Sequence, residues 1–352
     1  MTDARNHDFS PLVTAIPPGA VRHFRRSVGR DPAYSSVGSV SGIALIAIVV
    51  VILLVVSGSI LRGAVGMLFP EGPSGTVSLV AATLVALAAL GLGIVVAIVL
   101  RNRMWERWYR LHSFAAANGL VFVPRSTAPS YPGLIFGRGS SRRSTDRLLR
   151  MDGRRLEYGN YQYTTGSGKQ RSTHTWGYLA LELDRDLPHM VLDATSNNNV
   201  LGSNLPTTFR NDQILSLEGD FDRYFRLYCP REYERDALYI FTPDLMGLLI
   251  DEAAHVDVEI IDRWLLLYSS VPFALHEPAI QARLMSIVDT VGSSTLRQTR
   301  RYRDERAGLV SFADHRVAPQ GQRLAQSVPI SAVVIFVAVA GIFVIPQILS
   351  RI

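Results

Sequence analysis

Three long stretches of this chain contain no charged residue, and they constrain its fold more than any motif does. No Asp, Glu, Lys or Arg lies between Asp31 and Arg62, between Glu71 and Arg101, or between Arg323 and Arg351. The densest parts, 42–61, 77–100 and 329–349, each run to about 20 residues or more, enough to cross a hydrocarbon core of roughly 30 Å. Each therefore reads as a transmembrane helix. The mean hydropathy of +0.17 beside 19% charged residues fits such an uneven distribution.

Arginine placement gives these spans a direction, because basic residues are retained on the cytoplasmic side. Arg22, Arg25, Arg26 and Arg30 precede the first span, Arg101, Arg103, Arg107 and Arg110 follow the second, and Arg316 and Arg323 precede the third. The sequence thus divides into a flexible basic tail (1–36), two spans joined by a short external loop (37–100), a cytoplasmic domain (101–325), and a third span with a short external C-terminus (326–352). A lone cysteine, Cys229, excludes an internal disulfide and suits a reducing compartment. The net charge of +6 is explained by basic clusters set against anionic headgroups of the inner leaflet, which disfavours nucleic acid as a partner. Trp105 and Trp108 sit among Arg101, Arg103, Arg107 and Arg110, and together they form a lipid-contact set of the aromatic-belt kind.

The 101–325 region reads as α+β, a mostly antiparallel sheet with two packed helices. The first helix should stop at Asn118-Gly119, with a strand from Leu120 to Val123 before Pro124. Asp152-Gly153 and Gly166-Ser167-Gly168 mark two hairpins between strand-rich segments. Further strands are expected at Thr173 to Leu183, Met190 to Ala194, Ile214 to Leu217 and Phe221 to Tyr228, and a hairpin about Asp262-Arg263. Thr242-Pro243-Asp244 supplies a cap, a first-turn proline and a first-turn acid for one helix. Glu277-Pro278 opens another, whose Ile280, Leu284, Ile287, Val288 and Val291 form an apolar stripe.

No motif identifies a reaction or a cofactor. Gly168-Lys169 lacks the rest of a phosphate-binding loop, and the eight histidines include no pair at metal-ligand spacing. Two weaker constellations remain. Arg138, Arg142, Arg143 and Arg147 lie in a glycine- and serine-rich basic loop able to grip phosphate. Glu218, Asp220 and Asp222 alternate, so an extended strand would present all three on one face as oxygen ligands for a metal. Asp257 and Glu259 read as the wet face of an edge strand.

Leu217-Glu218-Gly219-Asp220-Phe221, Tyr224-Phe225 and Thr242-Pro243-Asp244-Leu245-Met246 resemble a bacterial domain family of unknown function, DUF3137, over about 130 residues from Arg147 to Phe273. That resemblance implies the fold and a membrane setting and carries no catalytic residue. The expected protein is a multi-pass protein of the bacterial plasma membrane. Its cytoplasmic domain acts as a non-enzymatic scaffold that meets lipids and a protein partner, with a membrane-bound enzyme or sensor for a phosphate-bearing ligand as the alternative.

Overall fold

A computed structural model describes residues 7–35, 75–127, 129–198, 203–307 and 316–327. The chain forms two compact units, Thr14–His112 and a second made of Met1–Val13 with Ser113–Ile352. In the first unit, helix α1 (Ala20–Ser27) and helix α2 (Gly75–Ala117) as far as His112 are the main elements. The basic tail, expected to be flexible, folds: Phe24 and Tyr34 pack around Trp105, with ring centroids 6.3 and 6.5 Å away.

Among the described residues no helix is long and apolar enough to cross a membrane. This corrects the expectation of three membrane-spanning helices, and with it the multi-pass plasma-membrane placement and the cytoplasmic and external sides derived from arginine positions. Two of the three stretches, 42–61 and 329–349, lie outside the described residues. The third, 77–100, falls inside α2.

The second unit is an antiparallel sheet with helices. Its strands are β1 (Val121–Thr127), β2 (Ser140–Arg150), β3 (Leu156–Thr165), β4 (Ser172–Ala194), β5 (Ile214–Leu215), β6 (Phe225–Tyr228) and β7 (Asp257–Ser269). They pair in the order β1-β2-β3-β4-β6-β5, and β7 joins the other edge of β4. Gly153 and Gly166, at φ +77° and +74°, turn the two expected hairpins in a conformation that side chains rarely adopt. Pro124 does not end β1, because β1 is an outer strand where a missing N–H costs no ladder bond.

β4 and β7 are each one long strand where the sequence suggested breaks. The register between them shifts at Glu182/Leu187 and again at Leu187/Met190, and Asp262 stands at φ +51°. Tyr178, Ala180 and Val191 of β4 and Ile261, Leu266 and Tyr268 of β7 belong to one core cluster. Their spacing is odd across 180–191 and across 261–266, so each strand changes parity there, and β4 bulges, running from Glu182 to Met190 while β7 runs only from Trp264 to Ile260. The expected hairpin about Asp262-Arg263 is such a change of parity. β2 likewise begins at Ser140 inside the segment expected as a loop, with Ser141 and Asp146 at positive φ where its register with β3 slips.

The helices α3 (Glu234–Ile240), α4 (Pro243–Ala253), α5 (Pro278–Ile287) and α6 (Ser293–Thr299) follow β6 and β7. α5 and α6 are joined by a π-helical segment, Val288–Gly292. Gly292 lies against Leu181, where an added Cβ would come within 2.7 Å, and Tyr158 of β3 donates to Gln281 of α5 at 2.8 Å. One face of the sheet is thus covered by helix, and the other by segments without regular structure, among them Leu134–Phe136, Leu205, Phe209 and Leu324.

Thr242 caps α4 as its sequence predicts, its hydroxyl accepting from the Leu245 N–H at 3.4 Å with Pro243 in the first turn. Thr242→Ala leaves that N–H unpaired and is expected to cost about 1 kcal/mol, read as a lower urea midpoint with an unchanged slope.

Candidate functional site

The sheet face without helices carries a dense buried polar network. Glu157 of β3 is almost wholly buried between strands that are otherwise rich in tyrosine. Arg147 of β2 holds it bidentately, Nε to Oε1 and Nη2 to Oε2, both at 2.8 Å. Tyr178 donates to Oε1 at 2.5 Å and Tyr131 to Oε2 at 2.8 Å, while the remaining Arg147 arm reaches Ser126 at 2.6 Å. Burial first, and the Glu157 charge second, raise the pKa of both tyrosine hydroxyls, which keeps them donors.

Glu259 of β7 forms a second centre and is completely buried. Its Oε2 accepts from the Leu134 N–H at 2.8 Å and from Tyr268 at 2.6 Å. Its Oε1 faces His189 Nε2 at 2.8 Å. The Leu324 N–H donates to His189 Nδ1 at 2.9 Å, so Nδ1 is the acceptor nitrogen and Nε2 bears the hydrogen directed at Glu259. Two remote covering segments, at 134 and 324, are thereby fastened to one point of the sheet. Gly133 makes room for this, since a Cβ there would stand 2.0 Å from the Tyr268 hydroxyl and 3.0 Å from Glu259. The wet edge expected for Asp257 and Glu259 is therefore an interior. β7 lies along β4 and is roofed by chain that the strand pattern does not reveal.

Beside Tyr131 a cleft of about 730 Å³ opens between Ser130, Tyr131, Pro132, Asp186, Asp262, Arg263, Trp264 and Arg316. Tyr131 meets Trp264 edge-on at 4.7 Å, and Arg155 lies over the Trp264 ring at 5.6 Å. The charged groups on the rim pair with protein neighbours. Arg263 meets Asp186 at 3.4 Å, and Arg323 holds Asp262 through bonds of 2.7 and 3.0 Å. Burial raises the Asp186 pKa, and Arg263 opposes it.

The residues singled out from the sequence fall elsewhere. Arg147 is engaged by Glu157, Arg138 by the Leu134 carbonyl at 2.8 Å and Arg143 by Gln162 at 2.8 Å, so these three of the four arginines are held at separate points. Glu218, Asp220 and Asp222 share no strand face, because Phe221–Arg223 is a helical turn and β6 begins only at Phe225. Asp222 instead closes that turn, accepting from the Leu217 N–H at 3.1 Å and from the Ser216 hydroxyl. No cluster of three or more His, Cys, Asp or Glu suited to a metal occurs among the described residues. Arg101, Arg103, Arg107 and Arg110 lie on α2 with Trp105 and Trp108, but the two tryptophans are 5% and 1% exposed. Their rings meet Tyr34 rather than standing in a belt. Burial, with Glu234 and Asp236 adding to it, pushes the Cys229 thiol up to about 12, as befits a packed core cysteine.

The fold defines the chain as an α+β protein built on a seven-stranded antiparallel sheet. No family model matches it, and no curated protein does. Among solved structures it is similar to the crystal structure of the mycobacterial trehalose monomycolate transport factor A, TtfA, at 12% identity and a TM-score of 0.33, over 53% of this chain and 96% of that one. A likeness at that score carries no argument about this chain's fold or function.

Proposed function

We propose that this protein is a non-enzymatic interaction module that offers the cleft at Tyr131 and Trp264 to a protein partner. The observation that carries this reading is the saturation of its two buried glutamates beside the cleft face, Glu157 and Glu259. Both oxygens of Glu157 and of Glu259 are taken by donors of the protein itself. A general acid or base has to reach a substrate proton, and these groups are tied into a network that fastens covering segments to the sheet. The cleft supports recognition in the same way. Its aromatic pair and its rim arginine, Arg263, are the residue types that anchor protein contacts.

A photo-crosslinking residue in place of Trp264 in the full chain tests the reading in producing cells. A discrete protein adduct is expected, weakened when Arg263→Glu is added. The purified full chain should release no phosphate from nucleotides or phosphomonoesters. Phosphate release that disappears in Glu259→Gln would overturn the interaction reading in favour of an enzyme.

A further inference from the structure

Where β4 ends and β7 begins, two aspartates face each other. Leu192 pairs with Val258, so the next step along the two antiparallel strands sets Asp193 opposite Asp257 on a common face. The two are 1% and 0% exposed. Like charges directly opposite destabilise a sheet, and buried carboxylates normally find donors. Here each keeps one buried oxygen without a hydrogen-bond partner, Asp193 Oδ1 and Asp257 Oδ2.

Two amide oxygens share that condition, Asn197 Oδ1 and Asn204 Oδ1. Hydrogen bonds hold these amides in the same cluster. Asn197 Nδ2 donates to Asp257 Oδ1 at 3.1 Å, the Ala194 N–H donates to the same oxygen at 2.9 Å, and Asn204 Nδ2 reaches the Asn197 carbonyl at 3.3 Å. What remains is four buried acceptors, all oxygen, with no orphaned donor among them. A bound hard cation satisfies that pattern.

We propose that Asp193 and Asp257, with the side-chain oxygens of Asn197 and Asn204, form a site for a hard divalent cation, calcium in preference to magnesium. Calcium accepts carboxylate and amide oxygens in irregular geometry, whereas magnesium demands a near-ideal octahedron and keeps several waters, for which buried oxygens leave little room. The electrostatics agree with the geometry. Burial pushes Asp257 up to about 7 against the Ala194 N–H, and Asp193 adds to the rise. Burial also raises Asp193, although hydrogen bonds from Ser203 and Asn198, and after them the charge of Arg226 opposite it in register on β6, act to lower it. A cation between the two would reverse both trends.

Thermal melts of the chelator-treated full chain, with calcium, magnesium or manganese chloride added, test the proposal. Calcium is expected to raise the melting temperature in a saturable way. The rise should vanish in Asp193→Asn and in Asp257→Asn, and should persist in Asp220→Asn, which lies in the other acidic segment. Both site variants are expected to fold, since neutralising one of two opposed carboxylates relieves repulsion in the metal-free protein. Terbium luminescence, sensitised by the protein's aromatic residues and lost in the same two variants, gives a second readout. A melting temperature indifferent to all three cations would overturn the site, as would a calcium effect that survives Asp257→Asn. A stronger response to magnesium than to calcium would overturn the calcium assignment.

Discussion

Arg147→Met is expected to cost about 3–5 kcal/mol of folding stability, the range seen when one partner of a buried ion pair is removed. The pair is well buried, with 15% of the Arg147 side chain and 7% of the Glu157 side chain exposed. Removing the guanidinium strips Glu157 of one donor on each oxygen and leaves its charge inside the sheet with only Tyr131 and Tyr178. The double change Arg147→Met with Glu157→Gln should recover most of the loss, because the uncompensated charge is then gone too. Urea denaturation of the wild type, both single variants and the double variant closes the cycle. A cost below about 1 kcal/mol for Arg147→Met would be the behaviour of a solvated surface pair and would contradict the buried network.

The same pair explains why part of the site was hidden in the sequence. Arg147 sat in a run of arginines that reads as a basic loop, and its mate Glu157 lies ten residues away across a hairpin. The hairpin itself was legible, because Asp152-Gly153 demands a positive φ and the flanking residues favour strands. A single acid within Leu156-Glu157-Tyr158-Gly159-Asn160-Tyr161 was the one available hint of a buried, paired charge.

Two of the four helices were equally plain, whereas the short α3 and α6 were not expected. Thr242-Pro243 and Glu277-Pro278 announce α4 and α5 through capping chemistry that acts over three or four residues. Long strands were harder, for a physical reason. A bulge changes the inside-outside parity of a strand by one residue, and from periodicity alone that change is the same as a turn. β4 across 184–189 and β7 at Asp262 were divided for this reason. Burial of Glu259 and His189 was out of reach altogether, since their roof comes from residues 134 and 324, and nothing local in β7 records contacts that remote.

Phe225→Ala is expected to cost about 3–5 kcal/mol, through lost burial and the cavity left behind. Phe225 opens β6, is completely buried, and stacks on Phe221 with ring centroids 5.2 Å apart. The two aromatics point inward although they do not share a strand, because Phe221 begins the helical turn that delivers the chain into β6. Asp222 governs that turn from outside, and Asp222→Asn keeps a carbonyl oxygen for the Leu217 N–H. Its cost should stay within about 1 kcal/mol, the size of one modified hydrogen bond. Thermal or urea melts of the full chain should therefore separate the neighbours sharply, with Phe225→Ala near the limit of what a domain tolerates and Asp222→Asn close to wild type. Equal losses in the two variants would mean that the turn, and not the aromatic stack, holds this end of the sheet.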